Sequence, residues 1–322
     1  MSAQFRALLG EDRLRPLASA HPRAEVVLAD DSNQFAALLP RAEGVLIWPT
    51  MAPLLAPALG PGSRLRWVHS LVAGVEEMLT PALVTAEQVL LTASKGPMGP
   101  MMAEHALLLM LALARDLPGF VRDQTERRWR SLTDGRPMVD AFGKTVLIMG
   151  VGAVGSHLAR MCKVGLRMRV LGTARTRRDD PHIDRYVERP DLPAALSEAD
   201  FVVLCLALTP ETERMIDAAA LAAMKPSAYL VNVARGGLVD EAALVAALRE
   251  GRIAGAGLDT TAVEPLPSES SLWGMPHVII TPHVSPGRDR FADEFVAFWS
   301  ENIRRFAEGE QLRGTIDRHA RY

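Results

Sequence analysis

The sequence contains few cysteines, only four lysines and no long hydrophobic run. Its two cysteines, Cys162 and Cys205, cannot form a disulfide framework or a cysteine-ligated zinc site, and its eight histidines do not have the spacing of metal ligands. We therefore expect no bound metal. The longest apolar run, Ala106–Ala114, is far shorter than the roughly 20 residues that cross a membrane. Because the first residues resemble no secretory signal, we expect a soluble, cytoplasmic protein.

Neither sign of charge predominates in the sequence. Lysine and arginine together number 36, and aspartate and glutamate 38, which gives a formal net charge of -2. Proteins that bind nucleic acid or anionic membranes generally carry a basic excess. The balance therefore argues against both of these partners.

Short apolar runs alternate with helical stretches along most of the chain. The runs that predict buried strands are Glu25–Ala29, Gly44–Trp48, Arg66–His69, Gln88–Thr92, Lys144–Gly150, Met168–Leu171, Phe201–Leu206, Tyr229–Val233, Ala254–Leu258 and His277–Thr281. This alternation predicts an α/β fold with two Rossmann-like or flavodoxin-like parallel-sheet domains and a cleft between them. We expect a substrate-binding domain of residues 1–100 and 288–322, and a dinucleotide-binding domain of residues 101–287.

Two helical segments lie near these expected boundaries. Ala103–Arg115 consists of strong helix formers and is apolar around most of its circumference, which predicts a buried crossover helix. Asp289–Phe306 carries aromatic residues at helical spacing. We expect this aromatic stripe to pack against the first domain.

A glycine-rich segment, Gly150-Val-Gly-Ala-Val-Gly155, follows a predicted strand and opens a predicted helix. Gly150, Gly152 and Gly155 permit a tight turn and the close approach of a pyrophosphate, while Ala153 and Val154 begin the helix N-terminus that attracts its charge. In this context the segment predicts a dinucleotide-binding turn. A glycine-rich turn without a ligand is the alternative.

The next predicted strand ends in a basic segment. Sites for NAD usually place an acidic residue about 20 residues after the glycines, where it binds the ribose. Here Arg175 and Arg177 occupy that region, and no acidic residue precedes Asp179. Guanidinium groups suit a 2′-phosphate, so we expect NADP(H) to be preferred, with NAD(H) possible. A solvated basic loop is the alternative interpretation.

Three polar residues follow later predicted strands, where a parallel sheet binds its ligands. They are Arg235, Glu264 and His283. Each alone has an ordinary structural explanation, such as an ion pair or a turn. Their joint occurrence after a dinucleotide-binding turn favours a catalytic site.

The chain resembles the D-2-hydroxyacid dehydrogenase family over nearly its whole length. The resemblance rests on the glycine-rich segment, Asn232-Val-Ala-Arg-Gly-Gly-Leu-Val-Asp-Glu241, Leu258-Asp259 with Glu264-Pro265, and Thr281-Pro-His283. The lead-in Met98-Gly-Pro-Met-Met-Ala-Glu-His105 and the ending Gly314–Tyr322 resemble the glyoxylate/hydroxypyruvate reductase branch. The implied activity is NAD(P)H-dependent reduction of a small 2-keto acid to the D-2-hydroxy acid by hydride transfer.

The resemblance also implies roles for individual residues. Arg235 would bind the substrate carboxylate and polarise the carbonyl, and His283 would act as general acid/base. Glu264 would orient the imidazole of His283 and favour its charged form. The substrate carboxylate would also meet the amides of the loop that contains Ala73 and Gly74. The further cofactor-binding residues would be Leu206, Val233, Ala234 and Asp259.

Some features of the substrate site stay open at this point. Trp48 either forms a wall of the substrate pocket or belongs to the core. The segment before the crossover helix departs from the usual asparagine-rich form of the family, which makes Lys95 and Met98 candidates to face the substrate. The resemblance further implies a homodimer built around the cofactor domain.

Two alternative functions remain. The first is a nucleotide-sensing interaction protein similar to corepressors that share the fold, since fold does not dictate function. The second is a dehydrogenase of the same fold that acts on formate or phosphite. We consider phosphoglycerate a less favoured substrate, because no regulatory domain follows Tyr322 and no basic cluster suits its phosphate.

Overall fold

The computed structural model describes residues 11–131, 134, 138–287 and 290–322. The chain divides into two compact units. Unit 1 comprises Met1–Met98 and Gly287–Tyr322, and unit 2 comprises Gly99–Pro286. Among the helices within the described ranges, none combines the length and apolar character needed to cross a bilayer.

Each unit contains a parallel sheet. The strands, in chain order, are β1 (Gly44–Ile47), β2 (Trp67–Ser70), β3 (Leu90–Ala93), β4 (Thr145–Met149), β5 (Arg169–Thr173), β6 (Arg185–Tyr186), β7 (Phe201–Leu204), β8 (Tyr229–Asn232), β9 (Gly255–Leu258) and β10 (Val278–Ile280). Unit 1 has the order β1-β2-β3, and unit 2 the order β10-β9-β8-β7-β4-β5-β6. Because all strand pairs are parallel, the predicted α/β class with two parallel sheets is confirmed.

Helices connect the strands. The α-helices are α1 (Glu11–Ala18), α2 (Ser32–Leu38), α3 (Pro81–Thr85), α4 (Gly99–Ala114), α5 (Leu117–Thr125), α6 (Ala153–Arg160), α7 (Leu192–Glu198), α8 (Ala218–Ala223), α9 (Glu241–Arg249) and α10 (Phe291–Glu308). A π-helical turn, Met161–Gly165, continues α6. The proline-rich stretch Pro49–Ala58 forms 3-10 turns, because its prolines interrupt regular α-helical hydrogen bonding.

The central strands of the unit 2 sheet are buried on both faces. Leu147 and Met149 of β4 pack into a cluster with α7, α8 and α9, while Val146 and Ile148 pack into one with α4 and α6. A strand covered on both faces must be apolar throughout, which is why these strands appear as continuous apolar runs in the sequence.

Strand order reverses at the β4–β7 pair, since β5 and β6 lie on one side of β4 and the later strands on the other. Ligands of open parallel sheets bind outside the carboxyl ends of the strands near such a reversal. The loops after β4, β5, β7, β8, β9 and β10 all leave from that edge.

Two local predictions are corrected by the structure. Glu25–Ala29 is not a strand, and it pairs with none of the strands in the described ranges. Its side chains Val27 and Leu28 are exposed, because no sheet neighbour covers them. The two-residue strand β6 was not predicted, since Arg185–Tyr186 is too short and polar to form an apolar run.

The structure departs from the prediction for helix α4 and agrees with it for helix α10. Helix α4 begins at Gly99 and packs one face on the sheet of unit 2, but Leu108 on its other side is more than half exposed, so the helix is not buried all round. Helix α10 buries Phe295, Phe298 and Trp299 within unit 1, as expected. Asp289, the predicted first residue of that helix, lies outside the described residues.

Candidate active site

The glycine-rich turn follows β4, and the space around each of its three glycines differs. Gly150 has a φ of 98°, and a Cβ there would lie 2.8 Å from the backbone of Cys205 and Leu206. A Cβ at Gly155 would lie 2.2 Å from the carbonyl oxygen of Gly150. A Cβ at Gly152, by contrast, would have no atom of the described residues within 4 Å. The turn is therefore tight on its inner side and open on its outer side.

Gly152 is also the N-cap of α6, and no described side chain caps that helix end. The amides of the first helical turn, at Ala153 and Val154, therefore lie beside the open space at Gly152. A helix N-terminus carries a partial positive charge and unpaired N–H donors, which suit an anion. The residues present thus fit the pyrophosphate of a dinucleotide.

The basic segment after β5 is exposed. Arg177 forms an ion pair with Glu188, and both side chains are more than half exposed. A pair this exposed is worth only about 0–1 kcal/mol, so a stronger anion can replace the carboxylate. The pKa of Glu211 is lowered, first by a hydrogen bond from Thr209 and further by the charges of Arg189 and Arg175.

The turn after β8 presents Arg235. The side-chain amide of Asn232 donates to the carbonyl of Arg235 (2.8 Å) and accepts from the amide of Ala234 (3.0 Å). This bracing fixes the turn, with Val233 and Ala234 buried and Leu206 after β7 half-buried. The guanidinium of Arg235 is half-buried and donates to the carbonyl of Ala234 (2.8 Å).

His283 and Glu264 are brought together. The Nδ1 of His283 lies 2.8 Å from a carboxylate oxygen of Glu264, and both side chains are partly exposed. The other oxygen of Glu264 accepts from the amide of Thr261 (3.1 Å). The loop that carries Glu264 also packs on the turn after β8, because a Cβ at Gly236 would lie 1.9 Å from the Thr261 carbonyl oxygen.

The backbone of His283 is in the left-handed region, with a φ of 53°. A non-glycine residue adopts this conformation only where its surroundings enforce it. Here the amide of His283 donates to the carbonyl of Asp259 (2.9 Å), and the next two amides, of Val284 and Ser285, donate to the carboxylate of Asp259 (3.0 Å each). Asp259 therefore holds the loop that presents the imidazole.

The carboxylate of Asp259 is fully buried but well supplied with donors. Burial by itself raises the pKa of Asp259, but the hydrogen bonds from Thr281, Val284 and Ser285 outweigh it and hold this pKa below its usual value. The Thr281 hydroxyl donates its proton to Asp259 (2.6 Å). The Thr281 oxygen is therefore the acceptor toward the Nε2 of His105, which lies 3.0 Å away. The cofactor-binding role of Asp259 stays a prediction. Its hydrogen bonds to Thr281 and to the loop of His283 were not predicted from the sequence.

The predicted substrate-binding residues of unit 1 follow the ends of β1 and β2. Trp48 is half-buried directly after β1. Ala73 is exposed and Gly74 half-buried, in a loop whose ends Leu71 and Val75 are buried. The loop is thus anchored at both ends, with its middle accessible.

The segment after β3 carries Lys95 and Met98, whose proposed place at the substrate stays a prediction. Met98 is buried, and the ammonium of Lys95 donates to the carbonyl of Thr315 (3.2 Å) and lies over the ring of Tyr322. These two contacts of Lys95 are to the C-terminal segment of unit 1.

The sequence is similar to those of known dehydrogenases and reductases. Residues 107–285 match the family described as D-isomer specific 2-hydroxyacid dehydrogenase, NAD binding domain. Glyoxylate/hydroxypyruvate reductase A of Escherichia fergusonii is 34% identical over 86% of this chain and 86% of its own length. The D-3-phosphoglycerate dehydrogenase of a Synechocystis species is 35% identical over 80% of this chain, which spans only 45% of that relative. The glyoxylate reductase of Pyrococcus furiosus is 38% identical over 65% of this chain and 63% of its own length.

Solved structures agree with these sequence relationships. A D-isomer specific 2-hydroxyacid dehydrogenase from Xanthobacter autotrophicus, in complex with NADPH and MES, has a TM-score of 0.81 and 34% identity over 97% of this chain and 96% of that one. An NADPH-dependent glyoxylate/hydroxypyruvate reductase from Sinorhizobium meliloti, in complex with NADP and sulfate, has a TM-score of 0.81 and 28% identity over the same shares. The chain therefore belongs to the D-isomer specific 2-hydroxyacid dehydrogenase family.

Proposed function

We propose that the protein reduces a small 2-keto acid of the glyoxylate/hydroxypyruvate type to the D-2-hydroxy acid, with NADP(H) as the preferred cofactor. The observation that carries this proposal is the Glu264–His283 pair, at 2.8 Å, on the sheet edge that also carries the open glycine turn and Arg235. An imidazole oriented by a carboxylate, on the same sheet edge as a guanidinium, suits the protonation of an oxyanion next to a carboxylate.

Each polar residue has a defined task in this reaction. The glycine turn would hold the nicotinamide cofactor, which would supply the hydride chemistry. Arg235 binds the substrate carboxylate and draws electron density toward the carbonyl oxygen. Glu264 accepts a hydrogen bond from the Nδ1–H of His283. Nε2 is therefore the atom that delivers a proton to the developing alkoxide. Glu264 also stabilises the charged imidazolium that precedes this transfer.

We propose that the amides of Ala73 and Gly74 bind the substrate carboxylate and that Trp48 contributes a wall of the pocket. The support is their position directly after two adjacent parallel strands, β2 and β1, and the accessibility of the loop between its buried ends. Backbone N–H groups at strand ends are common receptors for small anions.

The preference for NADP(H) rests on Arg175 and Arg177. We expect Arg175→Asp to lower kcat/KM with NADPH about 10- to 100-fold and to leave that with NADH unchanged or improved, because a charge-assisted hydrogen bond contributes about 1.5–3 kcal/mol. Initial rates with both cofactors measure this change. Arg23→Asp makes the same charge change at an exposed position of unit 1 and serves as control. An unchanged NADPH/NADH ratio in Arg175→Asp would contradict the proposed clamp.

The open side of Gly152 gives a separate prediction for cofactor binding. Gly152→Val places its Cβ where the described protein atoms leave space, so the melting temperature should fall only by the small cost of a poorer N-cap residue. The valine should instead obstruct the pyrophosphate and raise the KM for NADPH tenfold or more. Gly155→Val is the matched comparison, because its Cβ collides with the Gly150 carbonyl and should destabilise the fold itself. Unchanged NADPH binding in Gly152→Val would place the cofactor elsewhere.

We also propose that the protein is a homodimer. Apolar side chains that are substantially exposed lie on α4, on α5 and just after α5: Leu108, Leu117, Phe120, Val121 and Trp129. Exposed apolar groups concentrated on neighbouring elements are typical of a surface that another chain covers. Light scattering coupled to gel filtration tests this proposal, and a monomeric mass at micromolar concentration would contradict it.

Steady-state turnover tests the substrate class. Glyoxylate, hydroxypyruvate, pyruvate and phenylpyruvate are compared with NADPH and with NADH, and we expect the highest kcat/KM for NADPH with one of the first two acids. Highest activity with phenylpyruvate would contradict the assignment of the substrate size. Nucleotide binding without turnover of any acid would favour the nucleotide-sensing function.

A further inference from the structure

A fully buried histidine lies in the core of unit 1 and has no task in the proposed reaction. His69 is on the central strand β2, directly opposite Thr92 of β3 in the parallel register. Its Nδ1 lies 2.7 Å from the Thr92 hydroxyl and its Nε2 lies 3.1 Å from the Ser94 hydroxyl. The rings of Trp67 and Phe298 lie 5.8 and 5.9 Å from the imidazole.

The neighbouring groups determine which nitrogen of His69 carries the proton. An indole N–H can only donate, so Trp67 donates to the Thr92 hydroxyl oxygen (2.7 Å) and Trp299 donates to that of Ser94 (2.8 Å). The Ser94 hydroxyl in turn donates its single proton to the carbonyl of Ser70 (3.1 Å). The Ser94 oxygen is therefore an acceptor toward Nε2.

The resulting chain of hydrogen bonds runs in one direction. The Thr92 hydroxyl donates to Nδ1 of His69, Nε2–H donates to Ser94, and Ser94 donates to the Ser70 carbonyl. Every polar group in the chain is satisfied only with a neutral ring protonated at Nε2. Burial lowers the pKa of His69 to about 3, which agrees with a ring that stays neutral.

The far end of this chain is the loop that contains Ala73 and Gly74. The amide of Ser94 donates to the carbonyls of Ser70 (3.1 Å) and Val72 (3.3 Å). The Ser70 hydroxyl donates to the same Val72 carbonyl (2.8 Å). Ser94 therefore fastens the first residues of the loop, and His69 fixes the rotamer of Ser94.

We propose that His69, Thr92 and Ser94 are positioning residues that hold the Leu71–Val75 loop in the conformation that receives the substrate carboxylate. This inference rests on the proposed function, because it assigns that loop to the substrate. A buried polar chain is costly when half-satisfied, and an apolar core would be simpler to fold. These hydrogen bonds instead connect the tryptophan-rich core of unit 1 to the accessible loop that contains Ala73 and Gly74.

Two variants of the full-length protein test the proposal. Ser94→Ala leaves the N–H groups of His69 and Trp299 without their acceptor, and Thr92→Val removes the opposite end of the chain without changing side-chain shape. Because buried donors then lack an acceptor and the loop loses part of its anchoring, we expect the KM for hydroxypyruvate to rise about tenfold in both variants. The KM for NADPH should stay within twofold, since that cofactor binds residues of unit 2.

The matched control is Val68→Ala. Val68 is buried on β2 next to His69 but has no polar side-chain atom. This variant should lower the melting temperature through lost packing and leave the KM for hydroxypyruvate unchanged. An equal rise of that KM in Val68→Ala would mean that general loosening of unit 1 explains the result, and the positioning role would be overturned.

An NMR measurement tests the hydrogen-bond chain independently of activity. In protein with ¹⁵N-labelled histidine at pH 7, the spectrum of His69 should report a protonated Nε2 and an unprotonated Nδ1. The opposite tautomer would overturn the chain. If the wild-type protein turned over no 2-keto acid, the proposed function and the loop's role would fail together. If it were active but both variants kept the wild-type KM, only the positioning role of these residues would fail.

Discussion

Replacing His283 by alanine should lower kcat for 2-keto acid reduction roughly a hundredfold to ten-thousandfold. The variant loses the group that we propose protonates the developing alkoxide, and it leaves the carboxylate of Glu264 without the imidazole that lies 2.8 Å away. NADPH should still bind, because the glycine turn follows a different strand. The measurement is steady-state NADPH oxidation with saturating hydroxypyruvate, accompanied by a fluorescence titration of NADPH.

The control for this variant is His319→Ala, which removes an exposed histidine near the end of unit 1. It should retain wild-type kcat. Near-wild-type turnover in His283→Ala would refute the general-acid role. Loss of NADPH binding in the same variant would show that the substitution disturbs the sheet edge, and His283→Gln would then be the variant to compare.

Replacing Arg235 by glutamine should produce the second large effect. The variant removes the cationic partner of the substrate carboxylate. Loss of one partner of a buried charge pair weakens binding by about 2–5 kcal/mol, so kcat/KM for the keto acid should fall roughly thirtyfold to several-thousandfold. In the proposed roles, the guanidinium binds the carboxylate before the reaction and also polarises the carbonyl, so the KM should rise and kcat should fall. NADPH affinity should change little.

Arg249→Gln is the matched control for Arg235. It removes an exposed arginine at the end of α9 and should leave kcat/KM unaffected. If Arg235→Gln retained the wild-type KM for hydroxypyruvate, another cation would have to bind the carboxylate. The role proposed for Arg235 would then be wrong.

The fold was predictable where the local pattern and the tertiary environment agree. The central strands of unit 2, β4, β7, β8 and β9, are buried on both faces, so continuous apolar runs such as the one ending at Met149 identify them directly. The glycine turn was also predictable from its spacing. Gly150 and Gly155 lie where any larger side chain would disrupt the turn. Glu25–Ala29 has the same apolar appearance but no sheet neighbour among the described strands, and composition alone does not distinguish the two cases.

The supporting residues of the site were not predictable in the same way. Asn232 and Thr281 stand in segments that were identified, but their roles depend on which backbone or side-chain groups the fold brings within about 3 Å. His105 reaches Thr281 across 176 positions of sequence, and no periodicity indicates such a contact. The left-handed backbone of His283 has no sequence signal either, since it follows from the hydrogen bonds of Asp259.

The most direct test of the central proposal is analysis of the product that the protein makes from hydroxypyruvate. The reaction is run with NADPH deuterated at C4, and the glycerate is examined by chiral chromatography and mass spectrometry. We predict D-glycerate that carries deuterium at C2, formed in equal amount to the NADPH consumed. L-glycerate, or oxidation of NADPH without glycerate, would contradict the assignment of this chain as a D-specific 2-keto acid reductase.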